Sequence, residues 1–169
     1  MAIVRAATAA DVDAICDVCT RGYRATYPDL LTPEYIDRVV AEFYRPERVR
    51  TEIGAAPPHW LGYQVAEEDG RVLGAAGGGL TSPGTGELFV IYLDPDHRRR
   101  GLGTLLLDRV TEQVVEAGAT RMWVSVLDGN TKGIPFYRAR GFEPVERKHA
   151  FGARADEEVY SWRMVKPLS

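Results

Sequence analysis

A strand pattern that turns directly into a helix pattern constrains this chain more than any other stretch. Residues 87–93, ELFVIYL, are rich in aromatic and β-branched side chains and have the length of a strand. From Leu102 onward the apolar residues recur at the spacing of one helix face. The turn between them, RRRGLG at 98–103, is basic and contains two glycines. Free N–H groups at a helix start attract anions, so the turn is expected to cradle a phosphate or pyrophosphate.

Other interpretations of this turn exist. One is an ordinary loop with solvated arginines, in which Gly101 and Gly103 only relieve strain. A triphosphate-binding P-loop is excluded because its glycine-lysine pattern does not occur in the sequence. A dinucleotide-binding turn is a closer rival, because Asp128 follows the next strand at a plausible ribose-binding distance. Against it, Leu106 replaces the third glycine and too little chain follows for a doubly wound sheet.

Two blocks of this sequence resemble the GNAT superfamily of acetyl-CoA-dependent N-acetyltransferases. The first family signature is Gln or Arg, two residues, Gly, one residue and Gly or Ala, and RRRGLG at 98–103 meets it. The second is an Asn followed by a short helix with Phe-Tyr and a closing Gly-Phe. It is met by Asn130, Phe136-Tyr137 and Gly141-Phe142. The resemblance extends from residue 3 to about residue 164 and implies acetyl-CoA as the donor.

Length and composition predict one domain over residues 1–169 and limit the classes of binding partner that are expected. The chain is 45% hydrophobic and 27% charged, as in globular proteins, and its net charge of −3 favours neither nucleic acid nor an anionic membrane. It shows no membrane-spanning run or signal-peptide pattern, so a cytoplasmic location is expected. Cys16 and Cys19 form a C-x-x-C within a helix pattern, without the further ligands that a metal site needs. We therefore expect buried core cysteines and no metal.

The remaining patterns predict an α/β chain with a mixed sheet. Strands are predicted at 3–5, 61–67, 71–80, 87–93, 121–127, 142–147 and 159–164, and helices at 12–19, 33–43, 102–118 and 131–140. The strand-helix-strand order from 87 to 127 implies one parallel pair. The family resemblance adds that this pair is splayed within a mostly antiparallel sheet with flanking helices.

The resemblance also assigns the donor site. The pyrophosphate is expected on the backbone of residues 99–104, with arginine side chains adding charge. The family pairs the pantetheine arm with backbone at the end of the central strand, and Asn130 is expected to contact this arm or to cap the next helix. The predicted cofactor-binding residues are Tyr92, Leu93, Arg98, Arg99, Arg100, Gly101, Leu102, Gly103, Thr104, Asn130 and Tyr137.

Catalytic and acceptor residues follow from the same resemblance. Glu87 stands where several family members place a general base on the central strand, and the alternative is a solvated glutamate at a strand end. Tyr137 matches the tyrosine that protonates the departing thiolate, and the alternative is a core tyrosine beside Phe136. Tyr23 and Tyr27 lie where the family covers its acceptor, although both residues would equally suit packing between helices.

The expected reaction is direct transfer of the acetyl group to a primary amine of a small molecule in a ternary complex. A covalent acyl-enzyme is not favoured, since both cysteines lie far before the site and no G-x-S-x-G occurs. Two alternatives remain: a protein N-terminal or lysine acetyltransferase, and a non-catalytic CoA-binding module. Family members are often homodimers, so a homodimer is one expectation, and no pattern in the sequence names the acceptor.

Overall fold

The computed structural model describes residues 1–98, 100–150 and 152–168, which form a seven-stranded mixed sheet with flanking helices. The strands are β1 (Ile3–Ala6), β2 (Gln64–Glu68), β3 (Arg71–Ser82), β4 (Thr85–Leu93), β5 (Arg121–Leu127), β6 (Glu143–His149) and β7 (Tyr160–Pro167). The α-helices are α1 (Val12–Thr26), α2 (Pro33–Phe43), α3 (Pro46–Thr51), α4 (Leu102–Glu116) and α5 (Gly133–Arg138). None of the helices described is long and apolar enough to cross a membrane.

The sheet has the order β1-β2-β3-β4-β5-β7-β6, and among the described strands the one parallel pair is β4 with β5. This pair is short, because only residues 85–88 of β4 are in register with residues 121–124 of β5. Beyond that point β4 continues to Leu93 beside β3 and β5 continues to Leu127 beside β7, but β4 and β5 no longer pair with each other. A break in the β3–β4 register at Gly77 and Gly78 accompanies the divergence. The predicted mixed α/β sheet with a splayed parallel pair is confirmed.

Apolar side chains on both faces of the sheet hold the helices in place. The face of α4 that the sequence pattern predicted, with Leu106, Val110 and Val114, is fully buried against one side. On the other side α1 buries Ile15 and Cys19. Burial raises the pKa of the Cys19 thiol, which suits a core residue better than a reactive one. Within the described ranges, no group of three or more His, Cys, Asp and Glu side chains is placed to hold a metal ion.

Local signals in the sequence account for several element ends. The side chain of Thr32 accepts a hydrogen bond from the backbone N–H of Tyr35 at 3.1 Å, so Thr32 caps α2 with Pro33 at the first helical position. The carboxylate of Asp11 accepts the N–H of Thr8 at 2.7 Å, as part of a capping box before α1. Gly141 has a φ of 96°, the left-handed conformation that ends the segment after α5.

Some predicted element bounds were wrong. The short helix α3 was not predicted, and β3 and β7 extend beyond their predicted ends to Ser82 and Pro167. Helix α5 begins at Gly133 instead of residue 131, because Asn130 Oδ1 accepts the backbone N–H groups of Lys132 and Gly133. Residues 130–132 thus form a side-chain-capped turn before the helix.

Candidate active site

A cavity of about 970 Å³ opens where β4 and β5 diverge. The cavity is lined by β4 residues 88–93, β5 residues 124–126, the start of α4, and the end of α1 with the loop after it. Residues 129–133, 135–137 and 140 complete its walls. Predicted site residues that line it are Tyr27, Tyr92, Leu93, Arg98, Gly101, Leu102, Gly103, Thr104, Asn130 and Tyr137. Tyr23, Glu87 and Arg100 are not among its described lining residues, and Arg99 lies outside the residues that the structure describes. The fold therefore gathers most of the predicted site at one place.

The glycine turn before α4 opens directly onto this cavity. Gly101 has a φ of 78°, a left-handed conformation that favours glycine, and its carbonyl accepts the N–H of Leu105 at 3.1 Å to begin the helix. A Cβ at Gly103 would lie 3.5 Å from the ring of Phe136 and 3.7 Å from Leu93, both on the cavity wall. The first N–H groups of a helix have no carbonyl partner within it, so this end of α4 offers free donors to an anion.

The arginine side chains of the turn make contacts that the sequence did not predict. Arg98 lines the cavity, and its Nη2 donates to Thr26 Oγ1 at 2.8 Å, which fastens the turn to the end of α1. The guanidinium of Arg100 pairs with Glu68 at 2.7 Å and is 48% exposed, so Glu68 already engages its charge. Glu68 ends β2 and Thr26 ends α1, so neither partner could be identified from local sequence.

Two basic side chains that the sequence analysis missed also line the cavity, Lys132 and Arg140. With Arg98 they make three cations in the described lining, against one acidic residue, Asp29. No described carboxylate forms an ion pair with any of these three cations. The sequence signal for Arg140 was its position directly before the Gly-Phe of the second family block. The net positive lining suits a phosphorylated ligand.

Tyr137 reaches the cavity from α5 between two aromatic rings. Its ring centroid lies 5.1 Å from that of Phe136 and 5.6 Å from that of Phe142, both in edge-to-face geometry. Tyr137 is only 8% exposed, and burial raises the pKa of its phenol. The phenol is therefore protonated at neutral pH and has a proton to donate. Tyr137 thus packs between aromatic rings and also lines the cavity.

The two tyrosines predicted near the acceptor have different surroundings. Tyr23 packs in an aromatic cluster, with its centroid 4.7 Å from Tyr27, 5.7 Å from Tyr92 and 6.4 Å from Tyr44. Tyr27 lies at the edge of this cluster and lines the cavity. Packing between helices thus describes Tyr23, whereas Tyr27 is a wall residue. A substrate contact for either residue stays a prediction.

Glu87 forms an ion pair on β4 just before the strands diverge. Its two carboxylate oxygens accept N–H groups of Arg163 at 2.7 and 2.9 Å, and the two side chains are 14% and 20% exposed. Arg163 also donates to Ser125 Oγ at 2.8 Å and lies over the ring of Trp123. With both oxygens engaged, fewer lone pairs are free to take a proton. The role of Glu87 as a base stays a prediction, and this pairing counts against it.

The family assignment rests on a match over most of the chain. The model of the acetyltransferase (GNAT) family matches residues 16–142. The protein therefore belongs to the GNAT acetyltransferase family, and the resemblance inferred from the two sequence blocks is confirmed.

Relatives of known name agree with this assignment. The ribosomal protein bS18-alanine N-acetyltransferase of Escherichia coli is 29% identical over 82 residues, which cover 48% of this chain and 55% of that enzyme. The matched region thus spans about half the length of that relative. The N-acetyltransferase YuaI of Bacillus subtilis, itself uncharacterised, is 29% identical over 96% of this chain and 93% of its own.

A solved structure shows the same fold. The PaiA N-acetyltransferase of Thermoplasma acidophilum, crystallised in complex with coenzyme A, superposes with a TM-score of 0.83 over 99% of each chain at 21% identity. At that identity the likeness supports the fold alone.

Proposed function

We propose that the protein is an N-acetyltransferase that moves an acetyl group from acetyl-CoA to the primary amine of a small molecule. The observation that carries this proposal is the basic cavity at the divergence of β4 and β5, with the start of α4 at its wall, in a GNAT-family chain. Its volume lies within the range of about 300–1,000 Å³ that is usual for small-molecule sites. The net positive lining fits the phosphates of the donor.

The residues that would hold the donor follow from their positions. The backbone of residues 101–104 would bind the pyrophosphate, since Gly101 and Gly103 leave that backbone open to the cavity. Near Tyr92 and Leu93 the backbone of β4 pairs with β3 on one side and has no β5 partner on the other, so its open edge would pair with the pantetheine arm. Asn130 caps the turn into α5 and lines the same cavity, so it would support the arm from the other wall.

Transfer needs an amine without its proton, a stabilised oxyanion and a proton for the leaving thiolate. A backbone N–H on β4 would serve as the oxyanion donor, an interaction worth about 3 kcal/mol in comparable enzymes. Tyr137, neutral and in the cavity wall, would supply the proton to the thiolate. The amine would lose its proton to Glu87 or to water, and the pairing of Glu87 with Arg163 favours water. The transfer then proceeds by direct attack in a ternary complex.

A protein acceptor is the second candidate function. It is favoured by the sequence likeness to the E. coli enzyme, whose name gives a ribosomal protein alanine as its substrate. The assay below distinguishes a small amine from a peptide N-terminus as the acceptor.

A thiol-release assay tests the proposal. The purified protein is incubated with acetyl-CoA and a panel of small primary amines, alongside peptides with a free N-terminal alanine, and acetylated products are identified by mass. Turnover of a small amine supports the proposal, and turnover of peptides alone would establish the second candidate instead. Binding of CoA without turnover of any acceptor would indicate a non-catalytic CoA-binding module.

A further inference from the structure

We infer that the guanidinium of Arg140 binds the pyrophosphate of the donor, together with the backbone at the start of α4. The inference rests on the proposed function, because it requires the donor in the cavity between β4 and β5. It assigns to a side chain after α5 the charge that the sequence analysis assigned to the arginines at 98–100.

The position of Arg140 is set by a contact with α4. Its Nη2 donates to Thr104 Oγ1 at 2.6 Å, and both residues line the cavity. Thr104 lies in the first turn of α4, where backbone N–H groups point outward without helical partners. The guanidinium therefore lies beside the anion-binding end of the helix, although 36 residues separate the two side chains along the chain.

Arg140 is held in place before any ligand arrives. Its Cζ lies 3.7 Å from the centroid of the Phe136 ring, and its Nη1 donates to the Phe136 carbonyl at 2.8 Å. Stacking on an aromatic ring suits the planar guanidinium, and little side-chain freedom remains to be lost when a ligand binds. The contacts that fix Arg140 are all to neutral groups.

The donors of Arg140 remain largely unused. A guanidinium has five N–H groups, and Nε of Arg140 is buried with no hydrogen-bond partner. No ion pair joins Arg140 to a carboxylate of the described residues, whereas Arg100 pairs with Glu68. This guanidinium has no anionic partner, and a pyrophosphate would supply both acceptor oxygens and negative charge. Arginine binds phosphate oxygens in bidentate geometry. The arrangement thus fits a charged phosphate ligand better than a structural ion pair.

The contact with Thr104 selects the pyrophosphate over the 3′-phosphate of the donor. The Thr104 hydroxyl and the N–H groups of its helical turn belong to the same end of α4, so a group that meets one lies close to the other. In the proposed site this group is the pyrophosphate. A contact with the 3′-phosphate would make a different prediction, because dephospho-CoA lacks that phosphate and keeps the pyrophosphate.

Calorimetric titration of two variants with three ligands tests the inference. Arg140→Met places an unbranched apolar side chain beside Phe136 and removes the charge, and Arg140→Lys keeps the charge without the planar fork. Arg138→Met is the matched control, because Arg138 is 58% exposed and its partner is Glu143. The ligands are CoA, dephospho-CoA and pantetheine, which carries no phosphate.

We expect Arg140→Met to weaken the binding of CoA and of dephospho-CoA alike by about tenfold, or about 1.4 kcal/mol. Pantetheine binding should not change, Arg140→Lys should lose less, and Arg138→Met should bind as the wild type does. Unchanged CoA binding, a loss for CoA but not for dephospho-CoA, or an equal loss for pantetheine would each overturn the inference. If Arg140→Met does not fold, the lysine variant decides, since a binding loss confined to the two pyrophosphate ligands supports the inference and any other pattern overturns it. A wild-type protein that fails to bind CoA would instead overturn the donor site as a whole.

Discussion

Tyr137 combines a structural and a chemical property in one side chain. Its ring packs between Phe136 and Phe142, and burial raises the pKa of its hydroxyl. Replacing Tyr137 by Phe keeps the ring and removes the proton donor, so we expect turnover to fall by about 100-fold, the usual contribution of a general acid. Donor affinity, measured by calorimetry, should change little. Unchanged turnover in steady-state assays would remove Tyr137 from the mechanism.

For Glu87 the structural role outweighs the chemical one, because its carboxylate already pairs with Arg163. Exchanging Glu87 for Gln weakens the pair with Arg163 and leaves a partly buried guanidinium without its anion. We expect a loss of about 1–3 kcal/mol in the free energy of unfolding, measured with urea, because hydrogen bonds to charged groups are lost. Turnover at saturating donor should fall less than about tenfold if water is the base. A loss of about 100-fold, together with loss of the acidic limb of the pH profile, would instead establish Glu87 as the base.

At the scale of elements, the strand-turn-helix unit from β4 to α4 forms the donor wall. A valine at Gly103 would place its side chain against Phe136 and Leu93, where the Cβ itself fits at 3.5 Å or more. We therefore expect Gly103→Val to abolish saturable acetyl-CoA binding while far-ultraviolet circular dichroism and the melting temperature stay close to those of the wild type.

The control for this variant is Gly54→Ala, because Gly54 has open space around the Cβ position and does not line the cavity. The alanine variant should bind acetyl-CoA normally. If Gly103→Val also binds normally, the pyrophosphate lies elsewhere.

The elements around this unit show what local sequence can and cannot predict. The period change at Leu102 is local, and helix α4 begins there as predicted. The cap at Thr32 is a local feature as well. Gly77 and Gly79 illustrate the opposite case, because the reason for each glycine is a distant neighbour. The ring of Trp60 lies where a Cβ of Gly77 would be, and the carbonyl of His59 lies where a Cβ of Gly79 would be. No pattern near residue 77 in the sequence predicts either contact.

The same distinction between local signals and distant contacts applies to the site. The glycine turn and Tyr137 were predicted from short motifs, and both line the cavity. Side-chain partners at long sequence separation were not predictable, which is why the contacts of Arg98 with Thr26, of Glu87 with Arg163 and of Arg140 with Thr104 were missed. Long polar side chains take their final positions from the tertiary fold, and a motif fixes only where their backbone lies.

At the scale of the whole molecule, buried carboxylates make the fold sensitive to acid. The guanidinium of Arg5 and the Thr8 N–H hold the pKa of Asp11 below its ordinary value, despite burial. A depressed folded-state pKa contributes stability above the unfolded value of about 4, and this stability is lost as pH falls through the folded value. Asp11→Asn should therefore lower the urea midpoint at neutral pH, and the deficit should shrink below about pH 4.

The exposed Asp108 on α4 provides the control, and Asp108→Asn should leave the urea midpoint at neutral pH close to that of the wild type. A deficit of Asp11→Asn that stays constant down to about pH 2 would contradict the assignment, because the linkage of its carboxylate to folding would then be absent.

The central claim is that the cavity between β4 and β5 is a donor site for acetyl-CoA. Calorimetric titration of the folded wild-type protein with acetyl-CoA, and separately with CoA, tests this claim most directly. We expect saturable binding of both ligands, with one site per chain, and loss of that binding in Gly103→Val. A folded sample that binds neither ligand would contradict the claim and with it the proposed transfer of acetyl groups.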